Sequence, residues 1–312
     1  MEMEKMLEAL SNCRVCPRRC GADRVSGKQG WCRAPLLPKL ALVSVHHWEE
    51  PPVSGTNGSG TIFFSHCNLA CVFCQNHPIS AGGFGQEVTV ERLAEIFLEQ
   101  QTRGVHNINL VSAVQFLPQT AEALRLAKGE GLSIPVVYNS NGYETPEGLQ
   151  LLEGLADIYL PDFKYWDDAL AKEYSNASRY REYAAAAIME MRRQQPEDIF
   201  HEDGTMRKGL ILRHLVLPGH YKDSLRVLDW VREALGTETI VSLMSQYTPA
   251  HKAKEYPPLS RRVTTFEYEK VVAHFWEVGL KNGFMQRRSS AGSEYTPLFD
   301  LSGVEKAGTQ KD

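Results

Sequence analysis

Six short apolar runs recur between longer amphipathic stretches, and this alternation limits the fold more than any other feature of the chain. The runs are TIFFS at 61–65, NINLVS at 107–112, PVVYNS at 135–140, DIYLPDF at 157–163, LILRHLVLP at 210–218 and TIVSLMS at 239–245. Between and after them, 89–103, 119–131, 146–154, 167–193, 222–235 and 263–280 place apolar residues at helical spacing. Thr89 is positioned to cap the first of these helices; with Arg92 three residues on, it lacks a full capping box. Asp223 is the expected cap of the fifth. Strands alternating with helices predict a parallel sheet with crossover connections. Strands covered on both faces read as near-continuous apolar runs, as these do. Periodicity alone leaves an open doubly wound sheet and a full or partial barrel both open. In either, ligands gather at the carboxyl ends of the strands.

With 312 residues, 43% hydrophobic and 23% charged, the chain can build one large α/β core or two ordinary ones. Its net charge of −4 offers no overall basic excess for nucleic acid or an anionic membrane. The opening MEMEKMLEALSN reads as a charged helix rather than a signal peptide, and no run of about 18 apolar residues suggests a membrane span. A cytoplasmic location is expected. The sequence divides into a Cys-rich head and approach segment (1–60), a regular β/α region (61–286) and a polar tail (287–312) with one aromatic-acidic patch, expected to be partly loose.

All seven cysteines lie within the first 74 residues. A disulfide framework fits poorly with a reducing compartment, whereas clustered thiols suit metal. Cys67, Cys71 and Cys74 follow the first strand run, in SHCNLACVFCQN. Three thiolates on one tight loop can hold three corners of a 4Fe–4S cube, leaving the fourth iron open to a small molecule. Zinc would need a fourth ligand, such as His66 or His77. Cys13, Cys16, Cys20 and Cys32 form a separate group of four, suited either to a structural zinc or to a second iron–sulfur cluster.

The cysteine triplet, with Phe73 just before its last member, resembles the radical S-adenosylmethionine (SAM) superfamily. The series CPRRCGADR, SHCNLACVFCQN, NINLV, DIYLPDFKY, RHLVLPG, SQYTP and NGFMQ, across residues 13–286, looks like a branch related to the pyruvate formate-lyase activating enzymes. That resemblance implies a partial (β/α)6 TIM-like barrel with an N-terminal Cys-rich metal-binding extension. It implies a 4Fe–4S cluster on Cys67, Cys71 and Cys74, and SAM as partner. One electron from a donor such as flavodoxin or ferredoxin would cleave SAM to a 5′-deoxyadenosyl radical, which takes a hydrogen atom from substrate.

The same resemblance places Phe73 near the adenine, with a plain core aromatic as the alternative. Val111-Ser112-Ala113-Val114-Gln115 stands where relatives carry a Gly-Gly-Glu-like turn; lacking that turn, the chain would use backbone carbonyls or Ser112. Asn139 and Asn141 resemble a polar turn facing the ribose, or form an ordinary Asn-Gly turn. Asp162 and Lys164, on one face of their strand, match an Asp/Lys pair near the cofactor or form a structural ion pair. Arg213 and His214 are adjacent, so only one faces the interior. Gln246 and Tyr247 are candidate cavity residues, and His46-His47 reads as structural. The 167–208 segment is a candidate cap over the barrel. The substrate stays open between a partner protein receiving a glycyl radical and a small molecule or peptide. A non-catalytic iron–sulfur or zinc protein is the competing class.

Overall fold

The computed structural model describes residues 2–286 and 297–305. Every apolar run singled out above contributes most of its residues to a strand. The strands are β1 (Lys39–His46), β2 (Ser59–Phe64), β3 (Gln86–Glu87), β4 (Ile108–Val111), β5 (Val136–Ser140), β6 (Ile158–Pro161), β7 (Ile199–Phe200), β8 (Met206–Leu215), β9 (Ile240–Met244) and β10 (Asn282–Met285). They form one sheet in the order β10-β9-β8-β6-β5-β4-β2-β1-β3, with β7 attached to β8. From β2 to β10 along this order the ladders are parallel. At the other end β1 turns antiparallel onto β2. The two edge strands do not pair with each other, so the ring stays open as a partial barrel. The approach segment thus contributes a strand of its own, β1.

Alternation sorts the side chains into two cores. Val137, Ile158, Leu160, Ile211 and Ile240 meet inside the barrel with Val53, which a short helix, Pro51–Ser54, pushes into its floor. Outward residues such as Tyr138, Tyr159, Leu210 and Leu212 join the larger core beneath the helices. With the floor packed apolar, polar inward residues are left for the carboxyl ends of the strands.

Helix starts follow local chemistry. Thr89 caps helix Val90–Thr102, accepting from the Arg92 amide at 3.1 Å. Thr264 and Glu267 form a full capping box on helix Thr265–Glu277. Asp223 does not cap its helix, Tyr221–Leu235, whose N-cap is His220. Its carboxylate instead accepts the Trp166 and Asp167 amides at 2.9 and 2.8 Å, tying the turn after β6 to this helix. The 146–154 stretch divides into a four-residue helix and a 3-10 turn. The 167–193 stretch breaks into helices Asp168–Ser175 and Tyr180–Gln194, because Asn176 and Arg179 adopt left-handed conformations. Neither helix caps the barrel: Ala184, Ala187, Ile188 and Met191 pack into the outer core, and no residue of 167–208 lines the cavity. Of the tail, 297–305 is not loose. It runs along β1, with Leu301 N–H donating to Ala41 O and Val43 N–H to Ser302 O, while the rest of 287–312 lies outside the described residues.

Glu144 is fully buried behind β5, accepting the Tyr138 hydroxyl at 2.8 Å and the Ser140 hydroxyl. Burial raises its pKa to about 7, against the two hydrogen bonds. An unfolded chain releases this proton near 4.5. Between those values the native state binds more protons, so this group's contribution to stability falls as pH rises through the window and levels off above 7. We expect Glu144→Gln to flatten the pH dependence of the unfolding midpoint between about pH 5 and 7; an unchanged slope would count against this assignment.

Candidate active site

The segment after β2 has almost no regular structure, so its backbone groups must find partners elsewhere. Helix Asp168–Ser175 supplies two. Its terminal carbonyls, unpaired within the helix, accept the loop amides: Ala70 N–H to Ser175 O at 3.1 Å and Val72 N–H to Tyr174 O at 2.8 Å. The left-handed Asn176 that ends this helix is therefore part of how the loop is held. On the other flank, Asn141 donates to Asn68 Oδ1 at 2.8 Å, and Asn68 donates to Tyr143 O at 2.5 Å. Arg18 Nε donates to Asn68 O at 2.9 Å. His66, just before the first cysteine, sits at φ 67°, a costly conformation for a non-glycine residue.

Cys67, Cys71 and Cys74 all rim one cavity of about 450 Å³ at the carboxyl ends of the strands. Their sulfurs receive hydrogen bonds. Leu69 N–H and Asn141 Nδ2 each approach Cys67 Sγ at 3.4 Å, Ser175 Oγ donates to Cys71 Sγ at 2.9 Å, and Cys74 Sγ lies 3.3 Å from Ser80 Oγ. Burial pushes Cys67 up to about 12 and Cys71 up to about 11, and raises Cys74. The Lys164 ammonium acts against burial at all three. Three free thiols, facing donors and one shared cation, fit a group that needs thiolates and carries negative charge. Three thiols on one loop can each bind a different iron of a multi-iron cube.

The wall formed by β5, β6 and β8 is ionic. Lys164 Nζ lies 2.5 Å from Asp162 Oδ2, and Arg213 Nε lies 2.9 Å from Asp162 Oδ1. Arg213 continues to Asn139 Oδ1 at 2.6 Å and Glu49 Oε2 at 3.4 Å. Burial alone would raise Asp162, but Arg213 and Lys164 outweigh it and hold its pKa below the usual range. Burial lowers Lys164, but Asp162 and Cys71 outweigh it and hold the ammonium charged. Glu49 is raised, because burial outweighs Arg213.

The predicted site residues occupy this space unevenly. Phe73 is buried and lines the cavity, 5.8 Å from the Tyr247 ring. Ser112 lines it too, in a left-handed conformation (φ 58°), with its carbonyl accepting from Gln115 at 2.8 Å. Asn139 and Asn141 both line the cavity, the first bonded to Arg213 and the second to the cysteine loop. Arg213 is the inward member of its pair; His214 is buried on the outer side, its Nδ1 2.6 Å from Phe163 O. Gln246 lines the cavity, and the Tyr247 hydroxyl donates to Leu259 O at 2.7 Å. His46 also lines the cavity, while His47 packs against Gly58. Glu49 was missed. The sequence signal available there was the acidic pair Glu49-Glu50 in the approach segment.

In the head, Cys13 and Cys16 are buried, Cys32 is half-buried and Cys20 is exposed. Burial raises Cys16 to about 12, with Cys32, Cys13 and Cys20 adding to the effect, so the four thiols lie within one another's electrostatic reach. Gly30 lets Cys20 approach; a Cβ there would collide with its sulfur. Arg24 fastens the head to the barrel, donating to Gln115 O at 2.6 Å and Pro35 O at 3.0 Å.

A family model described as the radical SAM superfamily matches residues 61–231. An uncharacterized protein of Methanocaldococcus jannaschii is 31% identical over 282 residues, spanning 87% of this chain and 76% of that protein. The FeFe-hydrogenase maturase HydG superposes with a TM-score of 0.51 at 12% identity, over 79% of this chain and 56% of HydG, a likeness of fold alone. Methylornithine synthase gives 0.49 at 12% identity, over 73% of this chain and 70% of that enzyme. Streptococcus suis SuiB bound to SAM gives 0.47 at 14% identity, over 71% and 48% of the two chains. The chain belongs to the radical SAM superfamily. Membership implies a 4Fe–4S cluster and SAM, which agrees with the cysteine loop and its cavity.

Removing one member of the ionic wall strands its partners. Asp162→Asn removes the carboxylate that pairs Lys164 with Arg213, leaving Glu50 and Glu49 near Arg213, and should cost about 3–5 kcal/mol in denaturant unfolding. A loss under about 1 kcal/mol would mean the wall is hydrated and the pairs contribute little.

Proposed function

We propose that this protein reductively cleaves SAM and uses the resulting 5′-deoxyadenosyl radical to take a hydrogen atom from its substrate. The observation that carries the reading is the set of three thiols on one braced loop, rimming the cavity at the carboxyl ends of the strands and facing Lys164. A 4Fe–4S cluster held there by Cys67, Cys71 and Cys74 would supply an iron site for SAM and one electron for its reductive cleavage.

The chain's own residues do the rest. Cys67, Cys71 and Cys74 give up their protons and hold the cluster. Lys164, kept charged by Asp162, offsets the thiolate charge. Arg213, Asn139 and Glu49 form a polar wall for the SAM head group or the substrate. Phe73 and Tyr247 present an apolar surface suited to adenine. The cavity's volume of about 450 Å³ is that of a small-ligand pocket. This supports a substrate that is a small molecule or that inserts a single residue of a peptide or partner protein. A glycyl-radical activase, the role attached to the pyruvate formate-lyase activating branch, is the second form of this reading. It rests on the sequence runs of that branch. The four head cysteines would hold a structural zinc or an auxiliary cluster.

Anaerobically reconstituted protein with dithionite should convert SAM to methionine and 5′-deoxyadenosine. Cys67→Ala, Cys71→Ala and Cys74→Ala should each abolish the product, while Cys32→Ala mainly lowers stability or yield. 5′-Deoxyadenosine from the Cys71→Ala protein would sink the assignment.

A further inference from the structure

Two parts of the chain reach the cavity from opposite ends of the barrel. The cysteine loop follows Phe64, at the carboxyl end of β2. β1 runs the other way, and its last residue, His46, pairs with Ser59 at the start of β2. The residues after β1 therefore enter from the amino ends of the parallel strands, where Val53 packs the floor. Glu49 belongs to this entry. Its N–H donates to Ser54 Oγ at 2.9 Å, in the short helix that carries Val53, and Glu49 itself lines the cavity.

A family model covers what its members share, so cavity wall outside residues 61–231 is where members differ in what they bind. Among the described lining residues outside that stretch none is Lys or Arg, and burial lowers the pKa of His46, which leaves Glu49 as the charged group. Its carboxylate is loosely held. Asn109 Nδ2 lies at 3.2 Å, and Asn139 Nδ2 and Arg213 Nη1 at 3.4 Å, all beyond the about 2.7–2.9 Å of a charge-assisted hydrogen bond. Asp162, by contrast, has Lys164 at 2.5 Å and Arg213 at 2.9 Å. Beside Glu49, the buried Oδ1 of Asn109 has no hydrogen-bond partner among the described residues. Asp162, Glu50 and Glu49 all act on Arg213, with Lys164 as the further cation on Asp162. Acidic groups thus outnumber basic ones, and burial raises both glutamates. What this end of the cavity lacks is a cation that carries N–H donors, as an ammonium or a guanidinium does.

We propose that Glu49 is a substrate-binding residue that pairs with a protonated amine or guanidinium group of the substrate and so sets the substrate class. The inference rests on the radical SAM reading above. With the cation held at the end from which Glu49 enters, and the cysteine loop at the other, the carbon skeleton of the substrate lies between them. Trp48 and Met244, which also line the cavity outside the shared stretch, give that skeleton apolar neighbours. An anionic substrate is the poorer match, because Glu49 would repel it and Arg213 is already held by Asp162 and Asn139.

The test uses the full chain, anaerobically reconstituted and left oxidised so that nothing turns over, with and without SAM. The probes are butylamine, butylguanidine, butyrate and butanol, alike in length and different in charge, with binding followed by calorimetry or ligand-observed NMR. Native protein should bind the two cations at least about tenfold more tightly than butanol, and butyrate more weakly still. That ranking needs no variant, so it judges the proposal even if a substitution prevents folding. Glu49→Gln keeps an acceptor for Asn109 and Asn139 but removes the charge. It should weaken cation binding at least about tenfold and leave butanol unchanged, while Glu49→Asp keeps part of the preference. A capped Gly-Lys-Gly peptide separates two sources of the cation. Tighter binding than butylamine supports a peptide side chain in the site, and weaker binding supports a free small molecule. Equal binding of butylamine and butanol by native protein would overturn the proposal, as would an unchanged preference in Glu49→Gln. Displacement of the amines by SAM, with an equal loss of SAM affinity in Glu49→Gln, would give Glu49 to the SAM head group and overturn it too. Native protein that cleaves no SAM with dithionite would instead overturn the underlying reading, and the amine preference, measured without turnover, would still judge the cation site.

Discussion

The hydrogen bonds that hold the cysteine loop are the constraint on which the rest of the site depends. A loop that must present three sulfurs to one object cannot also close a ladder of its own. Its amides and carbonyls are satisfied by distant elements: the frayed carbonyls of helix Asp168–Ser175, the Asn68–Asn141 pair, the Lys252 amide on Val72 O, and Arg18 from the head. Each partner comes from a different part of the chain. The loop is therefore ordered only once the barrel has assembled, and the helix break at Asn176 belongs to the site.

The ionic wall follows from the same geometry. Parallel strands whose lower inward positions pack Val137, Ile158, Leu160 and Ile211 against Val53 leave their upper positions to polar groups. There Asp162 sits between Lys164 and Arg213, and neither cation is left alone in a low-dielectric space. Lys164 links the two halves, paired with Asp162 on one side and facing the thiols on the other. The charge that stabilises the wall is thus the charge that would offset a thiolate-bound cluster.

Much of this was legible in the sequence. Period and composition placed the strands that carry the site, because strands buried on both faces must be apolar throughout. Spacing placed the triplet at the end of the first of them. What could not be read was orientation and long-range pairing. Arg213 and His214 are equivalent in the sequence, and only the Arg213–Asp162 pairing across β6 and β8 shows which faces inward. Asp223 looked like a helix cap by position, yet its carboxylate holds the turn after β6. Glu49 sits in the approach segment, where no candidate site residue was expected. It enters the site only because β1 runs antiparallel to β2 and delivers its following loop to Arg213. The 167–208 segment carries no signal separating a cap from a crossover, and packing decides for the crossover.

The claim on which the account stands is that the three thiols hold a 4Fe–4S cluster with one iron open to SAM. Electron paramagnetic resonance tests it directly, on anaerobically reconstituted, reduced protein before and after SAM is added. The account predicts a reduced-cluster signal whose shape changes on adding SAM and is lost in protein lacking Cys71. A cluster signal indifferent to SAM, or protein that retains zinc and gives no cluster signal, would contradict it.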